Sequence, residues 1–308
     1  MSTIDGMEGA VAIVTGAGGG LGRAHALLLG SLGVKVVVND IGAAPGGGEG
    51  DRSAAQSVVD EIVAAGGEAV VSTASVTSHQ ETKALIEQAV DTFGALNILV
   101  NNAGFLRDRM IFTMSEEEYD DVVDVHLKGT FNLSRWATGY WRENKEADPT
   151  LAHRAIINTT SGSGLHGSVG QTNYAAAKAG IAAFTVVHAV ELERLGVKVN
   201  AVAPVARTRL LAMPGVEQLM GGELFEPANV APLVAYLASP QCRFTGQVFS
   251  MFGPIVGLYQ GWTVAEEIES DAPWTIDSIT EAVSRFPTTI PTKHQMQRVF
   301  DAVAEMSQ

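Results

Sequence analysis

The sequence predicts an α/β protein: one doubly wound parallel sheet of seven strands, followed by a C-terminal helical extension. Three observations carry this expectation. Short, nearly continuous Val/Ile/Leu/Ala runs recur along the chain, as strands covered on both faces require. Segments with helical spacing lie between these runs, a beat that builds parallel sheets. Glycines follow several of those segments, where helix stops place them.

The expected strands are Val11–Thr15, Lys35–Asn39, Ala69–Thr73, Asn97–Asn101, Ala155–Thr160, Val197–Val202 and Gln247–Phe252. The expected helices are Leu21–Leu32, Ser53–Ala65, Gln80–Phe93, Glu116–Arg142, Thr172–Leu195 and Pro227–Ala238, with Gly33, Gly66, Gly94 and Gly196 as stops. Gly42–Asp51 reads as a glycine-rich loop and Arg142–His153 as a polar connection. Residues 1–256 form one expected domain. Residues 257–308 form the extension, packed on the same domain or on a neighbouring subunit. Its parts Ile276–Phe286 and Lys293–Met306 have helical character, separated by Pro287 and Pro291.

Composition removes several functional classes. Of the 308 residues, 46% are hydrophobic and 18% charged, enough apolar material for a full core and against general disorder. The net charge of −14 leaves no basic stripe for a phosphate backbone, so no nucleic-acid partner is expected. Cys242 is the single cysteine, which excludes an internal disulfide and any cysteine-based zinc or iron–sulfur site; no metal site is expected. The start of the chain lacks the basic-then-apolar pattern of a secretory signal, and no apolar run approaches the ~20 residues of a membrane helix. The expectation is a soluble cytoplasmic protein.

Two constellations point to chemistry. Thr15-Gly16-Ala17-Gly18-Gly19-Gly20-Leu21-Gly22 joins the first strand to the first helix. Glycines there let backbone approach a pyrophosphate, and the helix N-terminus offers free N–H groups to it. Asp40 ends the second strand, about 20 residues on, where a carboxylate accepts from ribose hydroxyls and repels a 2′-phosphate. This favours NAD over NADP. Alone, the loop is also compatible with a plain strand–helix turn, and Asp40 with an ordinary turn residue.

Further on, Tyr174 and Lys178 stand one helical turn apart on a shared face, after Ser161 at the end of the fifth strand. A free phenol titrates near ~10, and a nearby ammonium stabilises its phenolate. Tyr174 is therefore a candidate base, Lys178 its activator and Ser161 the holder of a substrate oxygen. An isolated pair of this spacing is more often a solvated helix pair; the other motifs lift it above that.

The chain resembles the short-chain dehydrogenase/reductases, which have a Rossmann-type fold. Their glycine pattern appears as Thr15-Gly16, Gly20 and Gly22, their NNAG as Asn101-Asn102-Ala103-Gly104, and their serine and YxxxK as Ser161, Tyr174 and Lys178. Their proline-containing loop after the sixth strand appears as Ala203 to Thr208. The resemblance covers about residues 6–256. It implies cofactor contacts from Gly16, Gly18, Gly20, Leu21, Gly22, Asp40, Ser75, Val76, Asn102, Ala103, Gly104, Tyr174, Lys178, Pro204, Ala206 and Thr208. Two departures stand out. Ser75-Val76 replaces the usual Asp-Val after the third strand, and His126 replaces the relay asparagine, leaving that histidine either a proton relay or a structural residue at a helix kink.

Val37–Gly42, Gly104–Arg109, Val125–Phe131 and Gly170–Tyr174 resemble the (3R)-hydroxyacyl-CoA and 17β-hydroxysteroid dehydrogenase branch, the dehydrogenase part of type 2 multifunctional enzymes. That resemblance implies an NAD-dependent oxidoreductase interconverting a secondary alcohol and a ketone. The first candidate is a 3-hydroxyacyl-CoA from fatty-acyl or sterol side-chain oxidation, with this chain supplying only the dehydrogenase step. A 17β-hydroxysteroid or another secondary alcohol is the alternative, and a non-catalytic NAD-binding protein is the rival of another class. Arg107, Arg109, Arg207 and Arg209 are candidates to offset an acyl-CoA's charge. Trp262, Trp274 and Phe286 are candidate pocket walls. The family implies a homodimer or homotetramer built on Glu116–Arg142 and Thr172–Leu195; a small-molecule substrate and no membrane partner are expected.

Overall fold

The computed structural model describes residues 4–42, 53–144, 153–206, 225–261, 264, 266–271 and 273–286. Among them, eight strands form one sheet in the order β3-β2-β1-β4-β5-β6-β7-β8. The strands are β1 Val11–Thr15, β2 Lys35–Asn39, β3 Ala69–Ser72, β4 Ile98–Asn101, β5 Arg154–Thr159, β6 Val197–Val205, β7 Val248–Phe252 and β8 Ile255–Leu258. The first seven pair in parallel, and β8 pairs antiparallel with β7, Phe252 facing Ile255. The eighth strand corrects the expected count. The turn around Gly253, at φ 52°, folds the chain straight back onto β7.

Alternate strand residues feed two cores. Ala12, Val14, Val36, Val38, Ile98 and Val100 pack on one side; Val11, Ile13, Val37 and Leu99 pack on the other. All are buried, which explains why the strands are apolar throughout rather than alternating. On the second side, fully buried Trp141 donates its indole N–H to the Leu96 carbonyl at 2.6 Å, so a large side chain enters the core without an unpaired donor.

The helices are α1 Gly20–Ser31, α2 Ser53–Ala64, α3 His79–Phe93, α4 Glu116–Val123, α5 Gly129–Glu143, α6 Gly162–His166, α7 Thr172–Glu191, α8 Ala231–Leu237 and α9 Ile276–Val283. Local chemistry sets their ends. Ser78 caps α3, and Gly94 closes it in the left-handed conformation at φ 86°. Ser115 and Glu118 form a capping box at α4. The single helix expected over 116–142 is divided. Asp124–Lys128 forms a π-turn between α4 and α5, and His126 lies on it.

Packing divides the chain into Met1–Leu258 and Tyr259–Gln308. Strand β8 belongs wholly to the first unit, so the boundary expected at 256 falls inside it. In the second unit, α9 starts with a Thr275/Ser278 capping box and ends at Val283, short of the expected Phe286. Most of Gly42–Asp51 and Arg142–His153, and all of Lys293–Met306, lie outside the described residues. Among the described residues, no helix is long and apolar enough to cross a membrane.

Candidate active site

The strand order reverses between β1 and β4, and ligands of doubly wound sheets bind beyond the strand ends at such a point. The glycine loop lies there. Gly16 takes φ 63°, and a Cβ on it would come within 2.8 Å of Ala103 Cα. A Cβ on Gly22 would lie 2.6 Å from Asn102 Nδ2, so only glycine lets α1 start this close to β4. Gly20 begins α1 at φ 52°, and Leu21 packs on the core. Gly19 precedes the helix with no side-chain cap, which leaves the first N–H groups of α1 to a ligand.

Asp40 stands opposite this loop. Its Oδ2 accepts from Gly18 N at 2.9 Å and its Oδ1 from Gly42 N at 2.7 Å. A Cβ on Gly18 would sit 3.0 Å from that carboxylate. An uncapped helix start, a glycine cradle and a carboxylate at its rim fit the pyrophosphate and ribose of a dinucleotide.

Asn101-Asn102-Ala103-Gly104 follows β4 and is stitched to β1. Thr15 Oγ1 accepts from both Asn102 N and Ala103 N at 3.0 Å, and Asn102 Nδ2 donates to the Thr15 carbonyl at 2.9 Å. Asn101 Nδ2 donates to Asn158 Oδ1 at 2.9 Å, and Asn158 donates on to Thr185 Oγ1, tying β4, β5 and α7 together in the core. Ser75 N donates to Glu81 Oε2, and the Val76 carbonyl accepts from Asn132 Nδ2, so this turn is held against α3 and α5. Pro204 lies within β6, which runs three residues beyond its expected end, and Ala206 is buried just after it. Thr208 lies outside the described residues.

Ser161, Tyr174 and Lys178 come together above β5. Ser161 lies two residues beyond the end of β5 and accepts from Ser163 N at 3.2 Å, capping the short α6. Gly164 lets α6 lie directly on α7, since a Cβ there would be 2.6 Å from Ala179 N. The Ser161 hydroxyl is close enough to Tyr174 to lower its proton affinity. Lys178 is buried, donates to the Thr159 carbonyl at 2.6 Å, and places Nζ 5.6 Å from the Tyr174 ring centre.

The electrostatics correct one expectation. The spacing predicts a phenol lowered by Lys178. Instead, burial raises Tyr174 above its usual range, the Ser161 hydroxyl opposes this, and the Asp108 carboxylate adds to it. Burial also lowers Lys178 to about 7. Burial thus opposes the charged form of each group.

His126 lies beside this pair, its ring centre 5.2 Å from that of Tyr174. Nε2 faces the Phe105 carbonyl at 2.8 Å, while Nδ1 is buried without a partner. A Cβ on Gly104 would overlap the imidazole, so Gly104 makes room for it. Burial, with Lys178 second, holds His126 well below the usual histidine range, and the Phe105 bond opposes them. The ring is neutral at physiological pH.

Asn173 and Asp108 are site residues that sequence reasoning did not single out. Asn173 is buried next to Tyr174 and bonds to three backbone groups; its polar side chain inside a motif gives no sequence signal of burial. Arg107 pairs with Asp121 at 2.8 Å and Arg109 with Glu118 at 3.1 Å. Arg207, Arg209 and Trp262 lie outside the described residues, Trp274 is exposed and Phe286 is partly buried.

The doubly wound sheet and the glycine cradle at its switch point, with a Tyr–Lys pair beside them, define a nucleotide-dependent oxidoreductase. A family model for short chain dehydrogenases matches residues 10–212, and the chain belongs to that family. It is an oxidoreductase acting on CH–OH groups, in a family that uses NAD(P). It is 45% identical over 265 residues to the hydroxyacyl-CoA dehydrogenase ChsB1 of Mycobacterium tuberculosis, covering 82% of this chain and 80% of that one. It is 38% identical to the peroxisomal multifunctional enzyme type 2 of Drosophila melanogaster, over 100% of this chain but only 50% of that protein. A solved short chain dehydrogenase from Mycobacterium avium is 47% identical with a TM-score of 0.81, covering 92% of this chain and 98% of that one.

Proposed function

We propose that this chain is an NAD-dependent dehydrogenase that interconverts a 3-hydroxyacyl-CoA and its 3-ketoacyl-CoA. The observation that carries the chemistry is the buried Lys178, which donates to the Thr159 carbonyl and places Nζ 5.6 Å from the Tyr174 ring centre, with Ser161 at the cap of α6 beside them. The substrate class rests on the relatives named hydroxyacyl-CoA dehydrogenase and multifunctional enzyme.

Gly16, Gly18, Gly20, Leu21 and Gly22 would hold the pyrophosphate, and Asp40 the adenosine ribose. Ser75, Val76, Asn102, Ala103, Gly104, Pro204 and Ala206 would line the rest of the dinucleotide site, with Lys178 bonding the nicotinamide ribose. Bound NAD supplies the hydride acceptor for the carbinol C–H. Ser161 holds the substrate oxygen as a fixed donor. Tyr174 Oη takes the hydroxyl proton as charge shifts off that oxygen. Lys178 carries the compensating positive charge. Burial holds His126 neutral, so it carries no imidazolium proton to give; its Nε2 faces Phe105 and its Nδ1 has no partner. The Asp40 carboxylate favours NAD over NADP, because a 2′-phosphate would meet like charge there.

One observation favours a second reading. Arg107 and Arg109 each pair with a carboxylate, which offsets the positive charge that either would bring to an acyl-CoA phosphate. A 17β-hydroxysteroid needs no such partner. Exposed Val186, Val187 and Val190 on α7 and Phe131 on α5 support a homodimer or homotetramer built on these helices. A cytoplasmic location fits a chain whose described helices cannot span a membrane.

The test is NAD(P)H formation at 340 nm with a 3-hydroxyacyl-CoA beside a 17β-hydroxysteroid. The proposal expects the larger kcat/KM for the acyl-CoA with NAD. A larger value for the steroid supports the second reading. NAD binding with no turnover across an alcohol panel refutes both.

A further inference from the structure

Asn173 is fully buried at the second position of α7, between Thr172 and Tyr174. Its Nδ2 donates to the Arg107 carbonyl at 3.0 Å and to the Glu118 carbonyl at 2.8 Å. Its Oδ1 accepts from Tyr174 N at 2.7 Å. Both amide protons are therefore used, and the acceptor satisfies an N–H that the first turn of a helix leaves unpaired. One carboxamide joins three separate pieces of backbone: the segment after β4, the helix α4 and the first turn of α7.

Two further bonds run along the same seam. Arg109 N donates to the Gly170 carbonyl at 2.8 Å, and Gln171 Nε2 donates to Asp108 Oδ2 at 3.0 Å. Residues 105–109 are thus held on the start of α7 at three points, with Asn173 the buried one. This segment also faces the reacting phenol. Its Asp108 acts electrostatically on Tyr174, and its Phe105 is held by His126, whose ring stands edge-on to Tyr174. On the other side, Tyr174 meets Ser161.

We propose that Asn173 is a positioning residue for the alcohol–ketone reaction: its buried carboxamide locks segment 105–109 and α4 onto the first turn of α7, and so fixes the Tyr174 hydroxyl against Ser161. The inference rests on Tyr174 being the base. Nothing in the lock touches the glycine cradle or Asp40. It therefore governs turnover rather than dinucleotide binding.

The test uses the full chain with Asn173→Asp and Asn173→Ala. The ionised carboxylate of Asn173→Asp keeps the shape and the acceptor but offers no proton to the two carbonyls. A misplacement of about 1 Å lowers turnover on the order of 10²-fold, and that is the fall expected in kcat at neutral pH and above. Once protonated, the introduced carboxyl regains one donor, so kcat of Asn173→Asp recovers part of the loss as pH falls, whereas Asn173→Ala shows no such recovery. KM for NAD stays within about twofold in both, since the cradle is untouched. Gln171→Ala, at the outer end of the seam, keeps the question open to measurement where the buried changes do not fold. It should lower kcat several-fold with the NAD-induced thermal shift intact. Wild-type kcat in the folded variants, or a loss that tracks weakened NAD binding, overturns the proposal. Tyr174→Phe, run alongside, separates the two levels: full turnover in that variant removes the base assignment itself, whatever Asn173 does.

Discussion

Gly22→Ala probes the cradle with a single methyl group. The added Cβ would lie 2.6 Å from Asn102 Nδ2 and closer still to the Gly16 carbonyl oxygen. Neither neighbour can yield cheaply. Asn102 Nδ2 is bonded to the Thr15 carbonyl at 2.9 Å, and Gly16 is backbone in a left-handed turn. Restoring ordinary contact requires the loop or α1 to retreat by about 1 Å, the kind of overpacking that costs about 1–3 kcal/mol. At about 2–4 °C per kcal/mol for a unit of this size, Tm falls by several degrees. The same displacement moves the N–H groups proposed to hold the pyrophosphate, and a 1 Å error is worth on the order of 10²-fold. The two effects separate in thermal unfolding with and without NAD. At a concentration about 100 times the wild-type Kd, NAD stabilises the wild type by about 2.7 kcal/mol. With Kd weakened about 100-fold, the same concentration stabilises by only about 0.4 kcal/mol, so the NAD-induced shift nearly disappears. A wild-type NAD shift in Gly22→Ala would refute the reasoning about this contact.

Two other substitutions test the electrostatics. Asp40→Ser removes the charge at the cradle's rim and two accepted N–H bonds. The NAD-over-NADP ratio of kcat/KM should fall at least tenfold, and an unchanged ratio assigns the discrimination elsewhere. Asp108→Asn removes a carboxylate that raises the proton affinity of Tyr174. With Tyr174 as the proposed base, the active phenol is the deprotonated one, so kcat/KM for alcohol oxidation rises with pH. Neutralising Asp108 moves that rise to lower pH, and a shift to higher pH contradicts the assignment.

The sheet was legible because burial on both faces forces unbroken apolar strands; β1 and β2 end where the sequence places them. Gly33, Gly66, Gly94 and Gly196 mark helix stops because each takes a positive φ that other residues avoid. The features that escaped have physical reasons. A π-turn at Asp124–Lys128 adds one residue to a turn without interrupting the apolar pattern from Glu116 onward. Strand β8 is an exposed edge whose Ile255, Val256 and Leu258 bury little, so it carries no core signature. Ser161, Tyr174 and Lys178, which the structure brings together, were legible as a spaced motif, but their charges were not. Spacing shows that an ammonium is near a phenol. It does not show that desolvation outweighs their attraction, which depends on how deeply Lys178 is buried. Asn173 escaped for a related reason, since its bonding partners come from Arg107 and Glu118, far away in sequence.

The central claim is that the Tyr174 hydroxyl moves the proton while other residues hold the dinucleotide. Turnover of Tyr174→Phe with saturating NAD and a 3-hydroxyacyl-CoA, measured with its NAD Kd, tests this most directly. A fall in kcat on the order of 10³-fold or more, with Kd within a few-fold of wild type, is the predicted result. Turnover close to wild type, or a loss explained by failed NAD binding, would contradict it.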